Sequence, residues 1–336
     1  MTDKFEIKRI NEIKEYGVVS VQDIEEGDII MEEIPLVSSQ YLYNADFFPA
    51  CGNCLKSIEL PSQMLSRLSG QPIYAFQNEE VEDKVFCKCG NVFYCSLECQ
   101  SSDFTHEFLC ASKIPSNKYS TYMTAVELWK SFHFPPETCS ITLLFKLFIM
   151  IAADDKALSD FKDDYFNEKM QKSHHFLKKQ FSGNLNALYS LFCDFFDKAD
   201  FVSKERFNSL FCAMCLNGQG IGTSALESYL QTEDGEEYLD LLDELEDNLD
   251  ETSGIFTHAE GTGLYKKHSK LNHSCDPNAV NYFPYNNHKL QVVALRDIKQ
   301  GEEITISYIC EEDDNERRKQ LEEYYLFSCC CLKCSQ

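Results

Sequence analysis

Two segments near the end of the chain decide the fold: LNHSCDPN at positions 271–278 and GEEITISY at positions 301–308. Runs of strand length lie between them and within the second one, and residues rich in Asn, Pro, Asp and Gly separate these runs. The predicted strands are residues 279–283, 289–295 and 303–308. This end of the chain is therefore predicted to form a β-rich core.

The N-terminal end of the chain repeats part of this pattern. Residues 23–30, DIEEGDII, and residues 297–304, DIKQGEEI, share Asp-Ile-x-x-Gly-acid followed by a predicted strand. The glycine suits a turn position that needs a positive φ. Residues 1–45 contain further short predicted strands. The repeat is either a common strand–turn–strand signal or the sign of one β-fold that the middle of the chain interrupts.

Composition indicates a globular protein of two or three units with a strong negative charge. The 336 residues include 31 Lys or Arg and 55 Asp or Glu, for a net charge of −24, and 43% of them are hydrophobic. Such a charge argues against direct nucleic-acid binding and favours a basic partner such as a Lys-rich protein tail. Acidic residues concentrate in a predicted amphipathic helix at 225–251.

Neither secretion nor a membrane segment is predicted. The N-terminus is polar and has no apolar signal-peptide core. The longest apolar run, residues 141–153, contains Lys146, is too short to cross a bilayer and indicates a buried helix. We therefore expect a cytoplasmic or nuclear location, or both. In that reducing environment the 17 cysteines would serve metal binding rather than disulfides.

Cysteine and histidine pairs between positions 51 and 110 have the spacing of zinc ligands, because one turn can present two ligands to the same ion. Neighbouring pairs in such modules interleave, so alternate pairs are expected to share an ion. The first ion is assigned to Cys51, Cys54, Cys95 and Cys99, and the second to Cys87, Cys89, His106 and Cys110.

A third cysteine cluster lies at the C-terminus. Cys329, Cys331 and Cys334 supply three ligands, and zinc requires four. Cys275, inside the first quoted segment, is the candidate for the fourth ligand. A zinc ion here would hold a tail that would otherwise fray against the body of the protein.

Taken together, these segments resemble a known family. Residues 51–110 resemble a MYND zinc finger, especially FYCSLECQ followed by His106-x-x-x-Cys110. LNHSCDPN and GEEITISY are similar to the two signature segments of SET-domain lysine methyltransferases, and residues 325–334 are similar to the cysteine-rich post-SET motif. The chain is identified as a member of the SET and MYND domain methyltransferases. It is closest to the divergent fifth member, which lacks the large C-terminal helical domain of the others.

The resemblance implies an α+β fold: a β-rich, split SET domain with an inserted MYND zinc finger, a helical SET insertion and a zinc-bound post-SET tail. The implied boundaries follow the segments of the sequence. They are 1–50 for the N-terminal part of the SET domain, 51–110 for the MYND finger, 111–216 for the helical insertion, 217–310 for the catalytic core and 311–336 for the post-SET segment.

The resemblance also implies methylation of protein lysine side chains with S-adenosylmethionine as methyl donor. Histone tails or a basic ribosomal protein would be the substrates, and three structural zinc ions would be bound per chain. The alternative is a catalytically weak adaptor whose MYND finger binds short peptides that often contain proline.

By the same resemblance, Tyr308 is the catalytic residue, whose phenol would orient the substrate amine and contact the methyl end of the cofactor. Tyr325 would line the lysine channel, and Phe327 would stack on adenine. The other implied cofactor contacts are Lys14, Glu15, Tyr16, Gly17, Asn217, Asn272 and His273. Positions 15–17 read Glu-Tyr-Gly where the family usually has Gly-x-Gly, so the first glycine is replaced.

Overall fold

The computed structural model describes residues 4–12, 14–70, 72–74, 76, 79, 84–131, 139–154, 161, 165, 182–197, 201–232, 258–311, 313–331 and 333–335. The strands are β1 (Phe5–Asn11), β2 (Glu15–Ser20), β3 (Ile29–Glu33), β4 (Val37–Gln40), β5 (Val85–Phe86), β6 (Phe93–Tyr94), β7 (Gly218–Thr223), β8 (Ala259–Leu264), β9 (Asn272–His273), β10 (Ala279–Tyr282), β11 (Leu290–Ala294) and β12 (Glu303–Ile306). The α-helices are α1 (Pro61–Ser69), α2 (Leu97–Ser102), α3 (Phe104–Glu107), α4 (Ser116–Lys130), α5 (Ile141–Ala153), α6 (Ser182–Phe196), α7 (Lys204–Asn217), α8 (Ala225–Leu230) and α9 (Asp314–Tyr324).

The described strands form small sheets that join the two ends of the chain. Their orders are β1-β2-β12-β9, β10-β11-β3, β4-β8-β7 and the hairpin β5-β6. In the first sheet β12 pairs antiparallel with β2, so that Ile304 lies opposite Val18. On its other side β12 runs parallel to β9, with Thr305 opposite Asn272. The N-terminal hairpin is thereby placed beside the first quoted segment.

The repeated Asp-Ile-x-x-Gly segments lie side by side. Ile24 and Ile298 form an antiparallel bridge, and each backbone N–H donates to the other's carbonyl at 2.9 Å. Gly27 and Gly301, at matching positions, have φ values of +83° and +86°, in the left-handed region that favours glycine. The repeat therefore belongs to one β-fold that the intervening chain interrupts.

The two largest apolar clusters of the described residues support the architecture. One lies among the sheets and includes Val18, Ile304 and Leu271. The other lies among α4 to α7, where the ring centroids of Phe145 and Phe192 are 3.9 Å apart. Helix α5 coincides with the predicted buried helix at 141–153, and nine of its 13 residues are buried. Ser140 begins it as an N-cap, because its hydroxyl accepts from the backbone N–H of Leu143.

Lys146 lies on α5 with only 8% of its surface exposed. Its Nζ donates to the carbonyl of Ser38 in β4 at 3.0 Å and to the carbonyl of Gly52 at 3.1 Å. Burial alone would raise the pKa of nearby Asp103, but the positive charge of Lys146 holds that pKa below its usual value. A single side chain therefore connects the helical core, β4 and the segment that begins the predicted finger.

The backbone that follows Cys51 is attached to the sheets by further hydrogen bonds. The N–H of His288, just before β11, donates to the carbonyl of Cys54 at 2.7 Å. The hydroxyl of Thr223, at the end of β7, donates to the carbonyl of Leu55 at 2.6 Å. Residues 51–55 are therefore fixed to the core.

The predicted acidic helix at 225–251 is described only at its start. Helix α8 spans Ala225–Leu230, and its buried side chains are Leu226, Tyr229 and Leu230. Residues 233–251 lie outside the described residues. The domain boundaries stay predictions.

In the described part of the chain, no helix has both the length and the apolar character that a membrane crossing needs.

Candidate active site and metal centres

The predicted zinc ligands come together in three separate groups. Within each group the ligand atoms all lie within 4.8 Å of one another. The groups are Cys51, Cys54, Cys95 and Cys99; Cys87, Cys89, His106 and Cys110; and Cys275, Cys329, Cys331 and Cys334. These are the three sets assigned from spacing, including the interleaved arrangement of the first two. Thiolate and imidazole donors in fours are the donor set of a closed structural zinc site, so all three groups fit zinc.

Helix caps position the ligands of the first two groups. Ser96 caps α2, because its hydroxyl accepts from the N–H of Cys99, and the Sγ atoms of Cys95 and Cys99 are 3.5 Å apart. Asp103 caps α3 in the same way through the N–H of His106. Burial lowers the pKa of His106, which keeps its imidazole neutral, the form that binds a metal.

The third group joins the first quoted segment to the tail. The Sγ of Cys275 is 3.4 Å from that of Cys334 and 3.7 Å from that of Cys329. Helix α9 supports the arrangement from outside: Nη2 of Arg318 donates to the carbonyl of Cys334 at 2.8 Å. The buried guanidinium of Arg317 lies beside the thiol of Cys275.

Aromatic rings meet where the tail passes β9 and β12. The ring centroid of Tyr308 is 4.9 Å from that of Tyr325, 5.3 Å from that of His273 and 6.3 Å from that of Phe327. The hydroxyl of Tyr325 donates to the carbonyl of Tyr308 at 3.2 Å. We call His273, Tyr308, Tyr325 and Phe327 the aromatic cluster.

The protonation states of the cluster follow from its burial. Desolvation raises the pKa of Tyr308 above its usual value and that of Tyr325 to about 12, so both phenols stay protonated. Burial lowers the pKa of His273 to about 4, so its imidazole is neutral near pH 7. Nδ1 of His273 accepts from the N–H of Tyr308 at 3.0 Å, which places the ring proton on Nε2, 3.2 Å from the Sγ of Cys275.

Leu326, between the two tail aromatics, has φ +62°. A leucine in the left-handed region carries strain, and such residues concentrate at functional sites. This turn lets Tyr325 and Phe327 both contact the ring of Tyr308.

Glu303 contacts two of the predicted cofactor residues, Asn272 and Lys14. One carboxylate oxygen accepts from Nδ2 of Asn272 at 2.9 Å, and the other pairs with Nζ of Lys14 at 2.6 Å. The amide of Asn272 also donates to the carbonyl of Tyr16 at 3.0 Å. Sequence reasoning missed this role of Glu303, although the residue stands in GEEITISY and is the first residue of β12.

The side chains of Asn272 and Ile10 approach the backbone of Gly17 so closely that they leave no room for a Cβ atom. A Cβ at this position would lie 2.8 Å from Nδ2 of Asn272 and 2.7 Å from Cγ1 of Ile10. A side chain here would displace the amide of Asn272 or the side chain of Ile10. The bare backbone of Gly17 thus lies next to Asn272, within β2, and the cofactor role of positions 14–17 stays a prediction.

The hydrogen bond that the amide of Asn217 makes does not join it to the other predicted cofactor residues. Its amide donates to the carbonyl of Ala213 at 2.8 Å, within the last turn of α7. Its role stays a prediction.

Glu15 has a φ of +60°, in the left-handed region that favours glycine. The left-handed region costs a residue with a Cβ about 1–2 kcal/mol, and glycine avoids that cost but loses about 0.5–1 kcal/mol through its larger freedom in the unfolded chain. We therefore expect Glu15→Gly to raise the free energy of unfolding by about 0.5–1 kcal/mol. Urea denaturation of the purified protein measures this change.

The matched control for this variant is Glu6→Gly in β1, where the backbone is extended and the side chain is exposed. That substitution should lower the stability. Equal losses from Glu15→Gly and Glu6→Gly would show that position 15 carries no strain.

The model of the SET domain family matches residues 15–309, which include both quoted segments and everything between the N-terminal hairpin and Tyr308. The chain belongs to the SET-domain family. The match spans the finger and the helices, so the SET domain of this chain is split, as the sequence predicted. The α+β fold is thereby confirmed.

Relatives share the combination of domains. Human protein-lysine N-trimethyltransferase SMYD5 is 35% identical over 329 residues, which cover 90% of this chain and 79% of the human protein. A SET and MYND domain-containing protein of Dictyostelium discoideum is 26% identical over 87% of this chain and 52% of its own. The predicted resemblance to the SET and MYND domain methyltransferases is confirmed.

Among solved structures, the SET domain of LSMT bound to lysine and AdoHcy covers 97% of this chain and 53% of its own, with 9% identity and a TM-score of 0.32. A likeness at this level has no bearing on the site.

Proposed function

We propose that the chain is a protein-lysine N-methyltransferase that takes its methyl group from S-adenosylmethionine. The observation that carries the proposal is the position of Tyr308, enclosed by His273, Tyr325 and Phe327 and adjacent to the Asn272–Glu303 contact. Membership of the SET-domain family and a human relative named protein-lysine N-trimethyltransferase support the same reaction.

The residues around Tyr308 have the chemistry that the cofactor needs. Phe327 offers a ring face to the adenine, and Lys14 offers a cation to the carboxylate of the amino-acid end. Asn272 offers an amide beside the bare backbone of Gly17. When bound, S-adenosylmethionine supplies a methyl group activated by the positive sulfonium.

The aromatic cluster prepares the substrate amine. A lysine ammonium has a pKa near 10.4 in water and must lose a proton before its nitrogen can attack. Between Tyr308 and Tyr325 the ammonium would be desolvated, which disfavours the charged form and lowers its pKa. The hydroxyl of Tyr308, kept protonated by burial, would then orient the free amine toward the methyl group. Positioning of this kind supplies much of the rate in a reaction of two bound partners.

Lys-rich proteins are the proposed substrates, with histone tails and basic ribosomal proteins as the two classes. The net charge of −24 supports this choice, since an acidic enzyme attracts a basic chain over long range. Both classes are met in the cytoplasm and the nucleus, where we propose that the protein resides.

A peptide ligand of the MYND finger is a second proposed partner. Large apolar side chains stay exposed on the finger: Phe86 is 64% exposed, Leu97 72% and Phe108 50%. Exposed apolar side chains of this size are typical of interaction surfaces. The adaptor role suggested by the sequence would then accompany catalysis.

Replacing Tyr308 by Phe tests the proposal. Removal of one positioned hydroxyl should cost about 2.7–4 kcal/mol in the transition state, by analogy with an oxyanion-hole donor, or roughly 100- to 1000-fold in turnover. S-adenosylmethionine affinity should change little. Turnover is measured as labelled methyl transfer to core histones and ribosomal proteins with detection of methyl-lysine by mass spectrometry, and affinity is measured by calorimetry.

The control variant is Tyr282→Phe, at a half-exposed tyrosine of β10, which should keep wild-type turnover. Unchanged turnover in Tyr308→Phe would remove Tyr308 from catalysis. Absence of both cofactor binding and methyl transfer in the wild-type protein would overturn the proposed function and leave the adaptor role.

A further inference from the structure

The hydroxyl of Tyr308 is held by the backbone. It donates to the carbonyl of Leu271 at 2.6 Å. Leu271 directly follows a single 3-10 turn, His268–Lys270, and directly precedes β9. The direction of the phenol O–H therefore depends on how this turn is held.

Glu33 caps the turn. Its carboxylate oxygens accept from the N–H of Lys267 at 2.9 and 3.1 Å and from the N–H of His268 at 2.9 Å. No side chain of the turn itself makes a cap at this end, because Lys267 stands at the N-cap position without a side-chain hydrogen bond of that kind. Glu33 thus satisfies N–H groups that the turn leaves without an intrahelical acceptor.

The cap is anchored on a strand. Glu33 is the last residue of β3 and lies opposite Leu290 of β11 in an antiparallel pair. A carboxylate on a paired strand is displaced less easily than one on a loop. The cap therefore has a fixed position relative to the sheet core.

Hydrogen bonds continue from the cap to the phenol. The carbonyl of His268 accepts from the N–H of Leu271 at 2.9 Å, and the carbonyl of Leu271 accepts from Tyr308. Leu271 is 1% exposed, so water does not compete for this carbonyl. A shift of the turn would move the acceptor of the Tyr308 hydroxyl by a similar amount.

We propose that Glu33 is a positioning residue for methyl transfer, which holds the turn at residues 267–271 so that the Leu271 carbonyl directs the hydroxyl of Tyr308. The inference rests on the proposed function. Glu33 does not contact the reacting groups and acts through Leu271. Its hydrogen-bond partner His268 is 235 positions away in the sequence, which is why no sequence pattern indicates it.

Two substitutions at Glu33 distinguish the loss of its hydrogen-bond acceptors from the loss of its negative charge. Glu33→Leu removes the acceptors and should lower kcat about tenfold, since a small displacement of a positioning group costs one to two orders of magnitude. The KM for the protein substrate and the affinity for S-adenosylmethionine should stay within about twofold of wild type. Glu33→Gln keeps one acceptor oxygen and should recover most of the lost turnover.

The matched control is Glu32→Leu, one residue earlier on the same strand. Its carboxylate points to other partners, Lys289, Tyr285 and Gln291, and its removal also costs one negative charge. This variant should keep wild-type kcat. An equal loss in Glu32→Leu and Glu33→Leu would assign the effect to charge or to β3 as a whole and would overturn the proposal.

A double-mutant cycle with Tyr308→Phe gives the decisive measurement. If Glu33 acts through the Tyr308 hydroxyl, Glu33→Leu should cost no further turnover in the Tyr308→Phe background. A second full tenfold loss there, or wild-type kcat in Glu33→Leu alone, would overturn the inference. If Glu33→Leu does not fold, Glu33→Ser, whose side chain is too short to reach the turn, takes its place in the cycle.

The failures of the two proposals are distinguishable. Wild-type turnover in Tyr308→Phe alone contradicts the catalytic role of Tyr308 and, with it, the positioning role of Glu33. A strong loss in Tyr308→Phe combined with additive losses in the cycle contradicts only the role of Glu33.

Discussion

Deletion of residues 329–336 is expected to abolish methyl transfer while the finger stays folded with two bound zinc ions. The deletion removes three of the four ligands in the third group and leaves Cys275 alone. Binding of a structural zinc contributes on the order of 10–16 kcal/mol in small finger peptides, so no other contact of the tail is comparable. Tyr325 and Phe327 would lose their attachment to β9, and with it their places around Tyr308.

Zinc content measured by elemental analysis should fall from three to two ions per chain. Cofactor binding, measured by calorimetry, should weaken, and limited proteolysis should cut near residues 325–327. Cys334→Ser should reproduce these effects, whereas Cys330→Ser should not, because Cys330 is exposed and lies outside the ligand group. A truncated protein that methylates at the full-length rate would separate the tail from the active site.

Replacement of Lys146 by Met is expected to lower the free energy of unfolding by about 3 kcal/mol, within a range of roughly 2–5 kcal/mol. The ammonium donates to two carbonyls, those of Ser38 and Gly52. Without it, the buried carbonyl of Ser38 and the part-buried carbonyl of Gly52 each lose a donor, at roughly 1–3 kcal/mol. Asp103 also loses the positive charge that favours its ionised form. The apolar surface of methionine offsets part of this loss.

Urea denaturation measures the loss, and release of zinc to a chromophoric chelator shows whether the finger loosens with it. The control is Lys299→Met, whose side chain is 70% exposed and whose removal should change stability by less than about 0.5 kcal/mol. A variant at position 146 as stable as wild type would show that the lysine is replaceable in its buried place and that the finger is held by its other contacts.

Local spacing made the metal centres predictable from sequence. Zinc requires four ligands, and pairs such as Cys95 and Cys99 lie close enough in the chain to face one ion. The assignment of Cys275 followed because three terminal thiols need a fourth. The proximity of Tyr308, Tyr325 and Phe327 was predictable because each stands in a short segment typical of the family, and the structure brings the three rings together.

Long-range polar contacts were not predictable in the same way. The carboxylate of Glu33 accepts from the N–H of His268, 235 positions later in the chain. The ammonium of Lys146 donates to the carbonyl of Gly52, 94 positions earlier. Neither contact produces a pattern in a single sequence, because its two partners are far apart in the chain and only the folded structure brings them together. For Asn217 the resemblance implies a place at the site. Its amide donates within its own helix, and its role stays a prediction.

The pairing of β2 with β12 has a consequence for folding during synthesis on the ribosome. The ion pair between Lys14 and Glu303, which accompanies this pairing, joins residues 289 positions apart. At a synthesis rate of about 5–20 residues per second, the N-terminal hairpin leaves the ribosome roughly 15–60 seconds before its partner strand exists. During that interval the finger and the helices can fold, whereas β2 presents an unpaired edge and its apolar side chains to the surroundings. Such an edge invites pairing with other chains, so newly made protein should depend on chaperones more than its mature stability suggests.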